Sequence, residues 1–432
     1  MIRKDIIKEI LSDFHERELK GIIRRDIAVP LGTGKIITLA GVRRSGKTYL
    51  LLDTVKQIVA NGTPLQSIIY INFEDERLAL QTDELDLILQ AYREMYPNSD
   101  MNDCYFLFDE IQNVDGWEKF VRRIYDSISR NIYITGSNSR LLSSDIASSL
   151  RGRTIKTDVY PLSFREYIRF RDISPAMSTS AAKARINAAF ADYLYYGGFP
   201  ETLALDNQVR TATLQEYYNV LLYKDLIERY RIGNVSFLKY FLGRVIANLG
   251  NTTSINKIYN ELKSQGYKTT KNILYDILDW TEAVCFNLKT EKFSYSVINR
   301  ERSEKKYYLI DNGLLNALTF RFSADKGRLL ENMVAVELFR RYSGNVFFYK
   351  EQKECDFVMF DRDKPVMLVQ SCYDMNSPET AKREIDGAAA ACKYFGMDSA
   401  FVVTYDNEKS YTVGGCKINT VPALKFLLKI YP

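Results

Sequence analysis

One eight-residue phrase, Gly41-Val42-Arg43-Arg44-Ser45-Gly46-Lys47-Thr48, constrains this chain more than any other stretch. It fits the pattern G-x-x-x-x-G-K-[ST], and its surroundings complete the pattern. Residues 35–40 are a short β-branched and apolar run suited to a buried strand, and residues 49–55 continue as a helix. The glycines let the backbone fold round a phosphate so that several N–H groups converge on its oxygens. The helix N-terminus adds positive potential at the same point. Lys47 is then expected to reach the β- and γ-phosphates of ATP and Thr48 to hold Mg²⁺, with residues 41 to Tyr49 lining the nucleotide.

With 432 residues the chain exceeds a single core, and two or three domains are expected. A hydrophobic content of 46% and an aromatic content of 13% indicate a folded protein. No window approaches the ~20 apolar residues of a membrane span, so no membrane partner is expected. The N-terminus interleaves charged and apolar residues, which reads as an amphipathic helix and not a signal peptide. Six scattered cysteines lack C-x-x-C or metal-ligand spacing, and free thiols in a reducing cytoplasm are expected. The single histidine, His15, excludes His-based zinc sites and argues against Ser-His-Asp or Cys-His chemistry.

Residues 104–110 form an apolar strand delivering Asp109 and Glu110 at its carboxyl end, the Walker B pattern. Asp109 is expected to hold Mg²⁺, and Glu110 to activate an attacking water. A strand at 67–73 lies between the two motifs, and Glu directly follows Asp, which points to the ATPase branch of P-loop proteins. The strand at 131–135 ends in small polar groups, where Thr135 and Ser137 are candidates for sensing the γ-phosphate or for a hydroxyl-capped turn. Arg151 and Arg153 follow, either as arginine fingers for a neighbouring subunit or as a solvated basic turn. A fifth strand is expected at 156–160. The alternation of strands and helices predicts an α/β parallel sheet with nucleotide at the carboxyl ends of its strands.

Residues 1–165 are thus read as a P-loop domain with an N-terminal helix, and 166–235 as a helical lid or linker. Across 236–315, three helices and a hairpin suggest a winged helix, with Ser254 and Thr270 at N-cap positions. Lys268, Lys271, Lys305 and Lys306 would there meet non-specific DNA. Asp276 and Asp279, on one face of the third helix, leave a packing module equally open. From 325 to 432 the expected order is αβββαβ, with Glu331 on the first helix and Asp356 on the second strand. That is the layout of restriction-endonuclease-like domains.

These phrases, with Tyr160-Pro161-Leu162-Ser163-Phe164, Tyr196-Gly197-Gly198-Phe199-Pro200-Glu201 and Tyr308-Leu309-Ile310-Asp311-Asn312-Gly313, resemble a prokaryotic family of AAA-type ATP-binding proteins with a C-terminal DUF4143 domain. The resemblance implies ATP binding and a cytoplasmic location. The nuclease-like pattern expects Glu, Asp, then E-x-K, but the third element here is Gln370-Ser371-Cys372, with Gln for Glu and Cys for Lys. Gln370 and Cys372, two apart on a strand, are expected to share a face with Asp356 and Glu331 as a degenerate site. Three readings follow: an ATPase of the AAA/STAND-like type acting as a nucleotide-driven switch, DNA-linked or in defence; a nucleotide-gated module with little or no ATP turnover, whose C-terminal domain binds a protein partner, self-association included; or an ATP-dependent nuclease.

Overall fold

Four short apolar runs and one polar segment form the first sheet: β1 (Ile36–Ala40), β2 (Ile68–Asn72), β3 (Tyr105–Asp109), β4 (Ile132–Gly136) and the polar β5 (Thr154–Asp158). They pair in parallel in the order β2-β3-β4-β1-β5. In the computed structural model of the protein, residues 2–136, 150, 152–319 and 325–430 are described. The chain divides into two compact units, Met1–Val159 with Ala283–Cys285, and Tyr160–Glu282 with Phe286–Pro432.

In the first unit every residue of β1 is buried, as expected of an inner parallel strand covered on both faces. Helices α1 (Ile2–Glu16), α3 (Asp86–Met95) and α4 (Trp117–Ser127) pack apolar faces on one side, while α2 (Lys47–Ala60) covers the other. β4 lies between the strand that ends in the glycine loop and the strand that ends in Asp109. β5 starts two residues earlier than its sequence suggests and is a half-exposed edge. Ser137, Arg151 and the helix expected over 141–150 lie outside the described residues, save Leu150.

The second unit opens with α5 (Phe164–Phe170), α6 (Ser180–Tyr196) and α7 (Asn207–Val220), which runs on as a π-helix over Leu221–Glu228. There follow α8 (Val235–Ala247), β6 (Thr252–Thr253), α9 (Ile255–Ser264), α10 (Lys271–Ala283), β7 (Asn287–Lys292), α11 (Val297–Arg302), β8 (Lys305–Leu309) and α12 (Asn312–Leu318). The expected caps form: Ser254 Oγ accepts the Lys257 N–H at 3.3 Å, and Thr270 Oγ1 that of Ile273 at 3.4 Å. Last come α13 (Lys326–Tyr342), β9 (Val346–Lys350), β10 (Glu354–Asp361), β11 (Lys364–Ser371), α14 (Pro378–Phe395), β12 (Ser399–Thr404), β13 (Ser410–Val413), β14 (Cys416–Pro422) and α15 (Ala423–Leu428), in the αβββαβ order followed by a hairpin and helix.

A single mixed sheet joins these parts, in the order β13-β14-β12-β11-β10-β9-β7-β8-β6. Residues 236–315 and 325–432 share it through two residue pairs, Glu291 with Phe347 and Lys292 with Phe348. The expectation of six free thiols fails: Cys392 on α14 and Cys416 on β14 form a disulfide. Their separation of 24 residues gives no local sign of it, and the cysteine pattern is no argument for a reducing compartment. Among the described residues no helix is long and apolar enough to cross a membrane.

Asp311 explains three phrases that carried no chemistry in the sequence. Its carboxylate accepts the Gly198 N–H at 2.7 Å and those of Gly313 at 2.7 Å and Leu314 at 3.4 Å, so it caps α12 and anchors the 196–201 turn together. A side chain at Gly197 would lie 2.0 Å from Asp311 Oδ1, hence the glycine. Gly198 in turn accepts the Leu162 N–H at 2.7 Å, tying in the 160–164 phrase.

Complete burial, opposed by those N–H groups, pushes the Asp311 carboxyl up to about 6. In the unfolded chain it ionises near ~4, so its proton-linked stability is fully present below that value and lost as pH rises through about 6. Asp311→Ala should cost ~3 kcal/mol in denaturant unfolding, with a larger loss at about pH 5 than at about pH 7.5. An equal loss at both values would show that this carboxyl is not the titrating group.

Candidate functional site

The end of β1 turns at once into the glycine loop. Gly41 passes so close to the Val159 carbonyl that a Cβ would lie 2.1 Å from its oxygen. Gly46 precedes α2 in the left-handed conformation, and no side chain caps that helix. The first N–H groups of α2 are therefore presented to an anion. Ser45 is completely buried, and its Oγ has no hydrogen-bond partner, an orphaned donor inside the loop. These two features fit a bound phosphate.

Lys47 is nearly buried. Its ammonium donates to the Gly41 and Val42 carbonyls at 3.2 Å each and lies 3.4 Å from Glu110 Oε1. The loop lysine and the second Walker B acid thus meet directly. Glu110 sits in a left-handed turn after β3, and its other carboxylate oxygen accepts the Gln112 amide at 2.5 Å.

Asp109 is held from three sides. Tyr70 on β2 donates to Oδ2 at 3.1 Å, the Thr135 hydroxyl donates to Oδ1, and Thr48 also hydrogen-bonds the carboxylate. Burial raises the Asp109 carboxyl pKa, with the Glu110 charge acting the same way, while the Thr135, Thr48 and Tyr70 hydroxyls oppose the rise. Thr48 and Asp109 are in contact, as a shared Mg²⁺ site requires.

Thr135, read as a γ-phosphate sensor, is fully buried, and its hydroxyl also accepts the Glu110 N–H at 3.0 Å. It braces both acids. Arg43 pairs with Glu74 at 3.3 Å, Arg44 takes a left-handed turn at the surface, and the Tyr49 ring points to solvent. Arg153 stands at the start of β5, where its carbonyl accepts the Ile36 N–H. That is the end of the sheet opposite the loop, about five residues or ~16 Å away. Its guanidinium binds Asp126 at 2.9 Å and lies over the Tyr125 ring.

Three residues of this site were invisible in the sequence. Tyr70 looked like one more apolar strand residue, Gln112 a loop residue, and Arg25 part of an irregular leader. Arg25 is buried and donates to the Ser45 carbonyl at 2.9 Å, pinning the loop from outside. Arg25→Ala should weaken nucleotide binding ~10-fold, by loss of a charge-assisted bond to the loop backbone. Titration of a fluorescent ATP analogue measures this, and an unchanged affinity would deny Arg25 the role.

The C-terminal residues differ from expectation. Glu331 and Asp356 do meet, but Gln370 spends its carboxamide, accepting the Asp356 N–H at 2.9 Å and donating to Glu384 at 2.5 Å. Cys372 lies one residue past the end of β11, where strand alternation no longer governs it. It packs in an apolar cluster and gives its thiol to the Asp374 carbonyl at 3.2 Å. Burial pushes the thiol pKa up to about 11. Lys306, expected to face DNA, is instead 2% exposed, with its ammonium among carboxylates. Lys305 is also engaged, 2.8 Å from Glu291. Of the four lysines, Lys268 and Lys271 remain at the surface.

Three domain models match the chain: an AAA domain over residues 33–168, a domain of unknown function (DUF8612) over 187–325, and a second (DUF4143) over 326–425. An uncharacterised protein of Methanocaldococcus jannaschii is 37% identical, covering 100% of this chain and 94% of that one. One from Haemophilus influenzae is 30% identical, covering 81% and 85% respectively. Among solved structures, a Walker-type ATPase of Pyrococcus abyssi aligns over 74% of this chain and 96% of its own, at 16% identity and a TM-score of 0.40. With the Methanocaldococcus jannaschii relative 37% identical along the whole chain, and both end domains matched, the chain belongs to the family of AAA-type ATP-binding proteins that carry a C-terminal DUF4143 domain.

Proposed function

We propose that the protein binds ATP with Mg²⁺ in the 41–48 loop, hydrolyses it, and uses the turnover as a conformational switch. The observation that carries this reading is the convergence of Lys47, Glu110, Asp109, Thr48 and Thr135 in one buried cluster. The loop amides and Lys47 bind the phosphates, and Lys47 offsets charge on the leaving β-phosphate side. Glu110 takes the proton of the attacking water as its oxygen bonds to the γ-phosphorus and the bond to the ADP oxygen breaks. Gln112 orients Glu110, and Thr135 fixes the spacing of the two acids. Thr48 and Asp109 would hold Mg²⁺, which neutralises phosphate charge when bound. Arg153, distant from this loop and paired with Asp126, is either a basic turn residue or a finger for the site of another copy.

Lys47→Ala should abolish ATP binding, whereas Glu110→Gln should keep binding and lose ~10²-fold or more in turnover, because Glu110 acts on the water alone. A steady-state phosphate-release assay beside a binding titration separates the two. Full turnover by Glu110→Gln would sink the assignment.

The α8–β6–α9–α10–β7–β8 order suits a winged helix, yet the outer face of α10 favours a protein partner over DNA. It presents Ile273 and Tyr275 to solvent beside Asp276 and Asp279, with Lys268 and Lys271 exposed at its start. Any duplex binding through these two should have a log–log salt slope no steeper than about −2. Anisotropy titrations at several salt concentrations test this, and a slope near −5 would return the segment to the DNA-reading class.

A further inference from the structure

The polar cluster beneath α13 has a member from an unexpected place. Lys306, on β8, sends its ammonium to 2.7 Å from Glu354 Oε1, 3.2 Å from Asp356 Oδ1 and 3.8 Å from Glu331 Oε1. β8 and β10 stand three places apart in the sheet, ~14 Å if it were flat, so the sheet must curl to let one side chain join them. Burial alone would lower the ammonium's pKa, but the carboxylates of Asp356, Glu331 and Glu354 outweigh it and hold the lysine charged. Two of these carboxylates have further donors. Tyr308 donates to Glu331 at 2.9 Å, and the Ser371 N–H to Asp356 Oδ2 at 3.0 Å.

We propose that this cluster carries its own resident cation, the Lys306 ammonium, in the position a divalent metal would otherwise take. The C-terminal domain is then metal-independent, and removal of the lysine creates a metal site. Two observations converge on this. The ammonium sits within ion-pair distance of carboxylates from both α13 and β10. The Gln370 oxygen that could have served as a further ligand accepts the Asp356 N–H. A buried carboxylate set deprived of its cation must find another or protonate, which gives the lysine's role a direct readout.

The test uses the full chain without nucleotide, with Ca²⁺ and Mn²⁺ as probes in calorimetry and thermal unfolding. Wild type should show no binding traceable to this cluster and an unfolding midpoint indifferent to chelator. Lys306→Ala should melt lower, gain one site with a dissociation constant of ~10⁻⁴ to 10⁻³ M, and regain part of its midpoint with Ca²⁺. The double variant Lys306→Ala/Asp356→Asn should lose that site, separating it from any binding at Thr48 and Asp109. Wild-type binding that disappears in Asp356→Asn would overturn the proposal, as would a folded Lys306→Ala that gains nothing. Should Lys306→Ala not fold, the neutral set Lys306→Met/Glu354→Gln/Asp356→Asn decides: cooperative unfolding supports a charge-balancing lysine, and failure to fold refutes it.

Discussion

The insertion of β4 between β1 and β3 is the constraint on which the first unit depends. Had the loop strand and the Asp109 strand been neighbours, the two acids would stand one strand closer to the loop. With β4 between them, a third strand end supplies Thr135 in the gap, and its hydroxyl bonds both Asp109 and the Glu110 amide. Glu110 is thereby turned back toward Lys47 in a left-handed conformation that a non-glycine residue adopts only when its surroundings hold it there. Tyr70 completes the arrangement from the middle of β2, with Phe14 of α1 stacked on its ring at 4.7 Å.

The second unit is organised around buried polar groups. Asp311 gathers one loop amide and two amides of a helix terminus, and Asn332 does similar work beside it. The Asn332 side chain exchanges hydrogen bonds with the Leu309 backbone at 2.7 and 3.0 Å and donates to Asn312 at 2.8 Å. Such groups are costly to bury and specific once satisfied, so they join segments far apart in sequence without requiring a larger core.

Much of this was legible from local pattern. Strand β9 and helix α14 have the bounds that their sequences suggest, because a short aromatic run and a Ser-Pro start are local signals. The αβββαβ order and the Walker motifs were readable for the same reason. What escaped was set by distance through space. Lys306 lies 50 residues from Asp356, and a lysine on a hairpin looks solvent-facing unless the curl of the sheet is known. Cys372 was misplaced because strand alternation was extended one residue past the strand. Arg25, in a segment without regular structure, could be recognised only by where the chain carries it.

The junction of β7 with β9 has a mechanical meaning. Nine strands read as one sheet, but at this point the ladder is only two residue pairs long, against six between β12 and β14. It is a perforation in an otherwise continuous fabric. A pull on α10 or on the β7–β8 hairpin would concentrate at this seam, and the Lys306 tether spans it like a stitch. Side chains therefore carry across the seam what the short ladder does not: Lys306 reaches β10, and Phe293, next after β7, stacks on Phe360 of that same strand.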